Sequence, residues 1–277
     1  MRLADAIPGQ VVRWCLAAII ALMMIQPAIS AEVVDDPWPD LRASLFGDRS
    51  IHDGAGIIGL VAPYRAQDSA IVPVSMVAQM PQQSDRYIKT ITLIIDKNPA
   101  PVAAVFGLSP ANGDATISTR IRVDEYTNVR AIAETNDGAL YMATKFVKAS
   151  GGCSAPAVKN DKLAMSLLGK IELKQPELMS YGQPNQVRLE ISHPNHSGLQ
   201  MDQLTRNFTP ARYVRDIEVT LGDRTLLTME GGISLSEDPS IQFNMVPESP
   251  GEISVRVSDS DDATFSGKWP TPRPAGL

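Results

Sequence analysis

Ile117-Ser118-Thr119-Arg120-Ile121-Arg122-Val123 decides the fold. Its odd positions are apolar or small and its even positions are polar. This period of two is the mark of a strand with one buried face. The same alternation recurs in Ile241, Phe243, Met245 and in Ile253, Val255, Val257. Working outward, further strands are expected at 71–79, 88–95, 101–106, 127–134, 139–147, 169–174, 187–192, 211–221 and 224–229. Turn signals separate them: Asn112-Gly113, Asn136-Asp137-Gly138, Gly222-Asp223, Gly231-Gly232 and Pro250-Gly251. Short strands at this spacing, without helices of 10–15 residues between them, predict antiparallel β-sandwiches and argue against a doubly wound sheet. Leu41 to Phe46 and Leu163 to Leu168 each predict a short helix.

Residues 1–30 have the layout of a secretory signal. Arg2 and Arg13 give a positive start, Cys15 to Ile25 an apolar run, and Ala28-Ile29-Ser30 a small-residue cleavage site before Ala31. Cleavage there leaves 277 − 30 = 247 residues and a formal charge of 23 − 30 = −7, against −6 for the whole chain. A mildly acidic chain without a basic, aromatic-laced run is a poor nucleic-acid binder. No later segment is apolar enough to span a bilayer, so no membrane association is expected after cleavage. The expected organisation is a signal peptide at 1–30, a sandwich at 38–155, a linker at 156–169, a second sandwich at 170–268 and a disordered Pro-rich tail at 269–277.

Only two cysteines are present, Cys15 and Cys153. Removing the signal leaves Cys153 as the one thiol of an exported protein, where it has no intrachain partner. It follows Gly151-Gly152, so the sequence predicts a flexible, accessible arm with Gly151 and Gly152 as its hinge. An exposed thiol should alkylate quickly. Cys153→Ser should then change stability by no more than about 0.5 kcal/mol. The bland reading is that Cys153 is a small buried hydrophobe.

The other constellations carry less. His193-Pro194-Asn195-His196 has metal-compatible spacing, but Pro194 breaks any helix that would align the rings, and a turn after strand 187–192 is the simpler reading. His52 forms a dyad with Cys153 only on paper. No phosphate-binding glycine loop, dinucleotide fingerprint or nucleophile elbow is present, and no catalytic residue, metal or cofactor is assigned.

The segment around Cys153 resembles the carrier arm of SoxY, a sulfur-oxidation carrier. Ala62-Pro63-Tyr64-Arg65-Ala66-Gln67-Asp68-Ser69-Ala70-Ile71-Val72-Pro73-Val74 resembles that family's early strand region. His193-Pro194, Ser197-Gly198-Leu199, Pro210-Ala211-Arg212-Tyr213-Val214, Gly231-Gly232-Ile233-Ser234 and Pro239-Ser240-Ile241-Gln242-Phe243 resemble SoxZ. The order is similar to fused SoxYZ-like carriers associated with quinoprotein dehydrogenases. The resemblance implies an all-β chain of two immunoglobulin-like sandwiches joined by a short linker with a Gly-Gly-Cys arm. It implies a periplasmic carrier, not an enzyme, with a sulfur intermediate attached at Cys153. Partners would be sulfur-oxidation or redox enzymes, with a quinoprotein dehydrogenase or a c-type cytochrome as candidates. SoxY ends in a free arm with glycines on both sides of its cysteine; here Ser154-Ala155-Pro156 follows and the chain continues. The alternative function is a non-catalytic accessory subunit of a periplasmic quinoprotein (PQQ) alcohol dehydrogenase. A metal carrier using His193, His196 and the thiol ranks below both.

Overall fold

Strands with one apolar face bury it by pairing sheets face to face, and this chain does so twice, side by side. The computed structural model describes residues 36–156, 161–202 and 205–274. The expected signal peptide, Cys15 and part of the expected linker lie outside them. No helix among the described residues is long and apolar enough to cross a membrane.

The first half opens with helix α1 (Trp38–Phe46). Eight strands follow: β1 (Ile51–Asp53), β2 (Ile58–Val61), β3 (Val72–Ala78), β4 (Ile88–Ile95), β5 (Val102–Gly107), β6 (Ile117–Ile121), β7 (Thr127–Thr135) and β8 (Leu140–Val147). Helix α2 (Asp161–Ser166) leads into the second half. Its strands are β9 (Ile171–Lys174), β10 (Asn185–Ile191), β11 (Val214–Leu221), β12 (Arg224–Gly231), β13 (Ser240–Met245), β14 (Glu252–Asp259) and β15 (Thr264–Pro270). The alternation fixes which face is inward. Ile117, Thr119 and Ile121 are buried, as are Ile241, Phe243, Met245, Ile253, Val255 and Val257. Burying each large apolar side chain contributes about 1.5–3 kcal/mol.

The sandwiches join edge to edge. One sheet runs β1-β8-β7-β4-β5-β12-β11-β14-β15 and the other β2-β3-β6-β13-β10-β9. The halves meet where β5 pairs with β12 and β6 with β13, both antiparallel. Strand edges carry backbone groups that need partners, and here each half supplies the other's. After β12, the segment Gly231-Gly232-Ile233-Ser234-Leu235-Ser236 threads against the first half. Gly232 N–H donates to Ala103 O (3.0 Å), Ser234 O accepts from Arg122 N (2.8 Å), and Ser236 Oγ donates to Ala70 O (2.7 Å).

β7 is buried on both faces because α1 covers the outer one. Trp38, Leu41 and Phe46 pack on Ile94, Ile132 and Leu140. Beneath them Arg130 forms a buried ion pair with Asp96, Nε to Oδ1 at 2.9 Å and Nη2 to Oδ2 at 2.7 Å. The Trp38 ring lies 4.1 Å from the guanidinium carbon.

Three strands exceed the sequence expectation: β1, β2 and β15. The expected disordered tail is corrected in part. Trp269 and Pro270 belong to β15, and Tyr181 Oη bonds Thr271 Oγ1 (2.9 Å) and Pro272 O (2.8 Å). The alternation Phe265, Gly267, Trp269 turns those side chains inward. Residues 275–277 lie outside the described residues.

Candidate functional site

Cys153 sits where the two halves meet, in a packed turn and not on an extended arm. This corrects the expected flexible hinge at Gly151 and Gly152, and each glycine has a different reason. Gly151 has φ +75°, a conformation that side-chain-bearing residues resist. A Cβ on Gly152 would stand 2.1 Å from Ser69 O and 2.6 Å from Val123 O. The second glycine is thus a close approach of backbone to backbone.

The first half holds the N–H groups of this turn. Gly151 N–H donates to Asp124 O (2.8 Å), Gly152 N–H to Val123 O (3.0 Å), and Cys153 N–H to Asp124 Oδ1 (3.2 Å). The second half holds two of its carbonyls. Ser197 Oγ donates to Cys153 O, and Gln200 Nε2 donates to Ala155 O at 2.9 Å. Arg122 lies below, donating from Nη1 to Gly152 O (3.2 Å) and from Nη2 to Asn195 O (3.3 Å).

Cys153 is fully buried, at 0% exposure. Burial pushes its thiol up to about 12, with Asp124 adding to the rise and Arg122 opposing it. The thiol is therefore neutral at pH 7, and the nucleophilic thiolate is scarce. Arg122 is 1% exposed and its Nε has no hydrogen-bond partner among the described residues. Burial lowers its pKa, and the nearby Cys153, Glu237 and Asp68 oppose that shift. The alternation had placed Arg122 on the polar face of its strand. The signal missed is its position just past β6, where the chain leaves the sheet and turns into the junction.

The loop that grips Cys153 is itself held firmly. Asn195 has φ +46°. Its Oδ1 accepts from Val214 N (2.9 Å), its Nδ2 donates to Leu235 O (3.2 Å), and its N–H donates to His193 Nδ1 (3.0 Å). His193 Nδ1 is therefore the acceptor, and Nε2–H faces Asp259 Oδ2 at 3.5 Å. Burial lowers the His193 pKa, though Asp259 opposes it, and the ring is neutral at pH 7. Burial also works against the charge of Asp259, but Ala263 N–H and Arg212 outweigh it and keep the carboxyl below its ordinary range. His193 thus clamps a loop. His196 Nδ1 lies 3.1 Å from Gln200 Oε1, which can only accept. Gln200 Oε1 also takes Ser197 N–H at 3.3 Å, which turns Nε2 toward Ala155.

The structure does not bring His52 to the thiol: its ring packs 5.7 Å from that of Tyr141, on β1 and β8. Among the described residues no three His, Cys, Asp or Glu side chains gather to hold a metal.

Gly152→Ala is expected to cost at least 1–3 kcal/mol, about what overpacking costs elsewhere, because the clash is with two backbone carbonyls. A calorimetric melting temperature tests this. A Gly152→Ala melt equal to wild type would show that the turn has room the structure does not contain.

Two family matches meet at this turn. The family described as sulfur oxidation protein SoxY matches residues 42–153, ending on Cys153 itself. The family described as sulphur oxidation protein SoxZ matches residues 173–270. The chain carries a SoxY domain followed by a SoxZ domain in one polypeptide. Its sheet junction is therefore a SoxY–SoxZ junction, and Ser197 and Gln200 come from the SoxZ half. These families support a general role as a non-catalytic carrier in sulfur oxidation, acting with partner enzymes. None of the curated proteins matches the chain. Solved structures resemble it distantly. Superoxide reductase (neelaredoxin) from Ignicoccus hospitalis has 14% identity and a TM-score of 0.26, covering 41% of this chain and 88% of that one. The fibronectin(III)-like modules of Clostridium thermocellum CbhA have 11% identity and a TM-score of 0.24, covering 79% and 94%. Likenesses this weak carry no inference about function.

Proposed function

We propose that the protein is a periplasmic covalent carrier in which Cys153 holds a sulfur-containing intermediate, of the kind met in thiosulfate oxidation, for partner enzymes. The observation that carries this reading is the coincidence of the SoxY match, which ends at Cys153, with a turn gripped by both halves. Cys153 is also the one cysteine among the described residues. Residues 1–30 would export the chain, with the mature protein starting at Ala31.

The chemistry says what kind of partner is needed. Joining a thiol to thiosulfate through a new S–S bond breaks the S–H bond, releases one proton and removes two electrons. The loading partner must therefore accept electrons. A c-type cytochrome or a quinoprotein dehydrogenase fits that requirement. The thiol must also reach its thiolate form, which the buried state suppresses.

That burial favours a second reading. A cysteine with 0% exposure and a pKa pushed up to about 12 fits a small core residue. The protein would then be an accessory subunit of a periplasmic quinoprotein alcohol dehydrogenase. Intact mass of the exported protein, taken before any reductant, separates the two. The carrier reading expects extra mass on the peptide containing Cys153, removed by dithiothreitol, since thiol adducts short of higher oxidation are reversible. An unmodified mass throughout active substrate oxidation would favour the accessory subunit.

A further inference from the structure

The turn bearing Cys153 is held from both halves: its N–H groups and the Gly152 carbonyl by the first, and the Cys153 and Ala155 carbonyls by the second. All three N–H groups of Gly151, Gly152 and Cys153 are bound by Val123 and Asp124, in the half that carries the turn. The carbonyls of Cys153 and Ala155 are bound by Ser197 and Gln200, in the other half. The first set anchors the N–H side of the turn, and the second ties the Cys153 and Ala155 carbonyls to the other half. Ser197 is 3% and Gln200 3% exposed, so both groups lose water to make these bonds. Buried polar groups keep such partners or incur a desolvation cost.

We propose that Ser197 and Gln200 form a latch by which the SoxZ half keeps Cys153 shut away, and that releasing these two bonds opens the thiol to the enzymes that load and unload it. Ser197 and Gln200 are positioning residues: they touch the backbone of the turn, not the sulfur. The proposal rests on the carrier reading for its purpose but not for its test, since thiol access is measurable on purified protein whatever Cys153 carries.

The latch is preorganised. Gln200 Oε1 takes Ser197 N–H and faces His196 Nδ1, which fixes the amide with its donor toward Ala155. Ser197 Oγ also accepts Leu199 N–H at 3.2 Å, which leaves its own hydrogen directed to Cys153 O. Asn195 ties the loop to β11 and to Leu235. When the latch opens, the remaining anchors lie at Gly151, Gly152 and the Cys153 amide. The sulfur then meets water, its pKa falls toward the ordinary range, and thiolate becomes available. Control of a thiol by a neighbouring domain needs no change in the thiol's own half.

N-ethylmaleimide labelling of the purified full chain tests this. Ser197→Ala and Gln200→Ala are each expected to speed labelling about three- to tenfold, the yield of one lost hydrogen bond, and the double variant more. Ser197→Thr keeps the hydroxyl and should restore the rate toward wild type. Arg188→Ala, on an exposed face of the same half, should leave it unchanged. A double variant that melts like wild type and labels at the wild-type rate would overturn the latch. Should the alanine variants fail to fold, hydrogen exchange of the wild-type chain decides. Exchange of the Ser197 and Leu199 amides, which Gln200 Oε1 and Ser197 Oγ hold, at lower free energy than those of β11 supports a local opening. Exchange only with global unfolding overturns it. Loss of the carrier reading with faster labelling intact would leave the latch standing as a structural device.

Discussion

Native Cys153 is expected to react with iodoacetamide about a thousandfold more slowly than a free cysteine at the same pH. The reagent needs thiolate. A thiol pushed up to about 12 by burial holds far less thiolate at pH 7.5 than one near its ordinary value. Burial itself adds a further barrier, since reagent must enter an environment with 0% exposure. The rate should stay low through pH 8 to 9, where an accessible cysteine would accelerate, and should recover fully in guanidinium chloride. Stopped labelling with mass readout, native against unfolded, measures it. A native rate within about tenfold of free cysteine would show that the closed turn is not the state in solution. This reverses the sequence expectation of a quickly alkylated arm.

The second large effect lies under α1. Arg130→Ala is expected to destabilise the chain by about 3–5 kcal/mol, because it leaves the Asp96 carboxylate buried without its partner. It also removes the cation under Trp38 and loosens the helix that covers Ile94, Ile132 and Leu140. At roughly 2–4 °C per kcal/mol for a chain of this size, the melting temperature should drop by about 6–20 °C. Replacing both partners, as in Asp96→Leu with Arg130→Met, should recover much of the loss, since two apolar side chains leave no orphaned charge. A single variant melting within about 2 °C of wild type would mean that water reaches the pair.

The sandwich strands were legible because each buries one face. Alternation at 117–123, 241–245 and 253–257 reads directly as inward and outward side chains, and β6, β13 and β14 follow it. β1 and β2 are too short to show a period. β15 was hidden by its composition: Gly267 interrupts its apolar alternation and Trp269-Pro270 read as the start of the Pro-rich tail, while the edge position of the strand tolerates both glycine and proline. The edge-to-edge joining of the halves had no local signal, since pairing of β5 with β12 depends on residues over a hundred positions apart.

The site was half legible. Cys153 stood out as the lone exported thiol, but Gly151-Gly152 has two physical readings. Glycine permits motion, and it also permits backbone to pass against backbone. Only the positions of Ser69 O and Val123 O decide for the second. Arg122, Ser197 and Gln200 were invisible as a group because they gather from both halves. His193 and His196 read as a turn after a strand, and the structure places them in the loop after β10, where His193 braces Asn195 and His196 faces Gln200.

The measurement that tests the carrier role most directly is sulfur-substrate oxidation by cells whose only copy of this protein is Cys153→Ser. The variant should still fold, at a cost of about 1–3 kcal/mol for a hydroxyl in a buried site, which circular dichroism of the purified chain verifies. With the folded variant present at the wild-type level, the oxidation rate is expected to fall to that of cells lacking the protein. A wild-type rate in the Cys153→Ser cells would contradict the carrier role and leave the accessory subunit as the function.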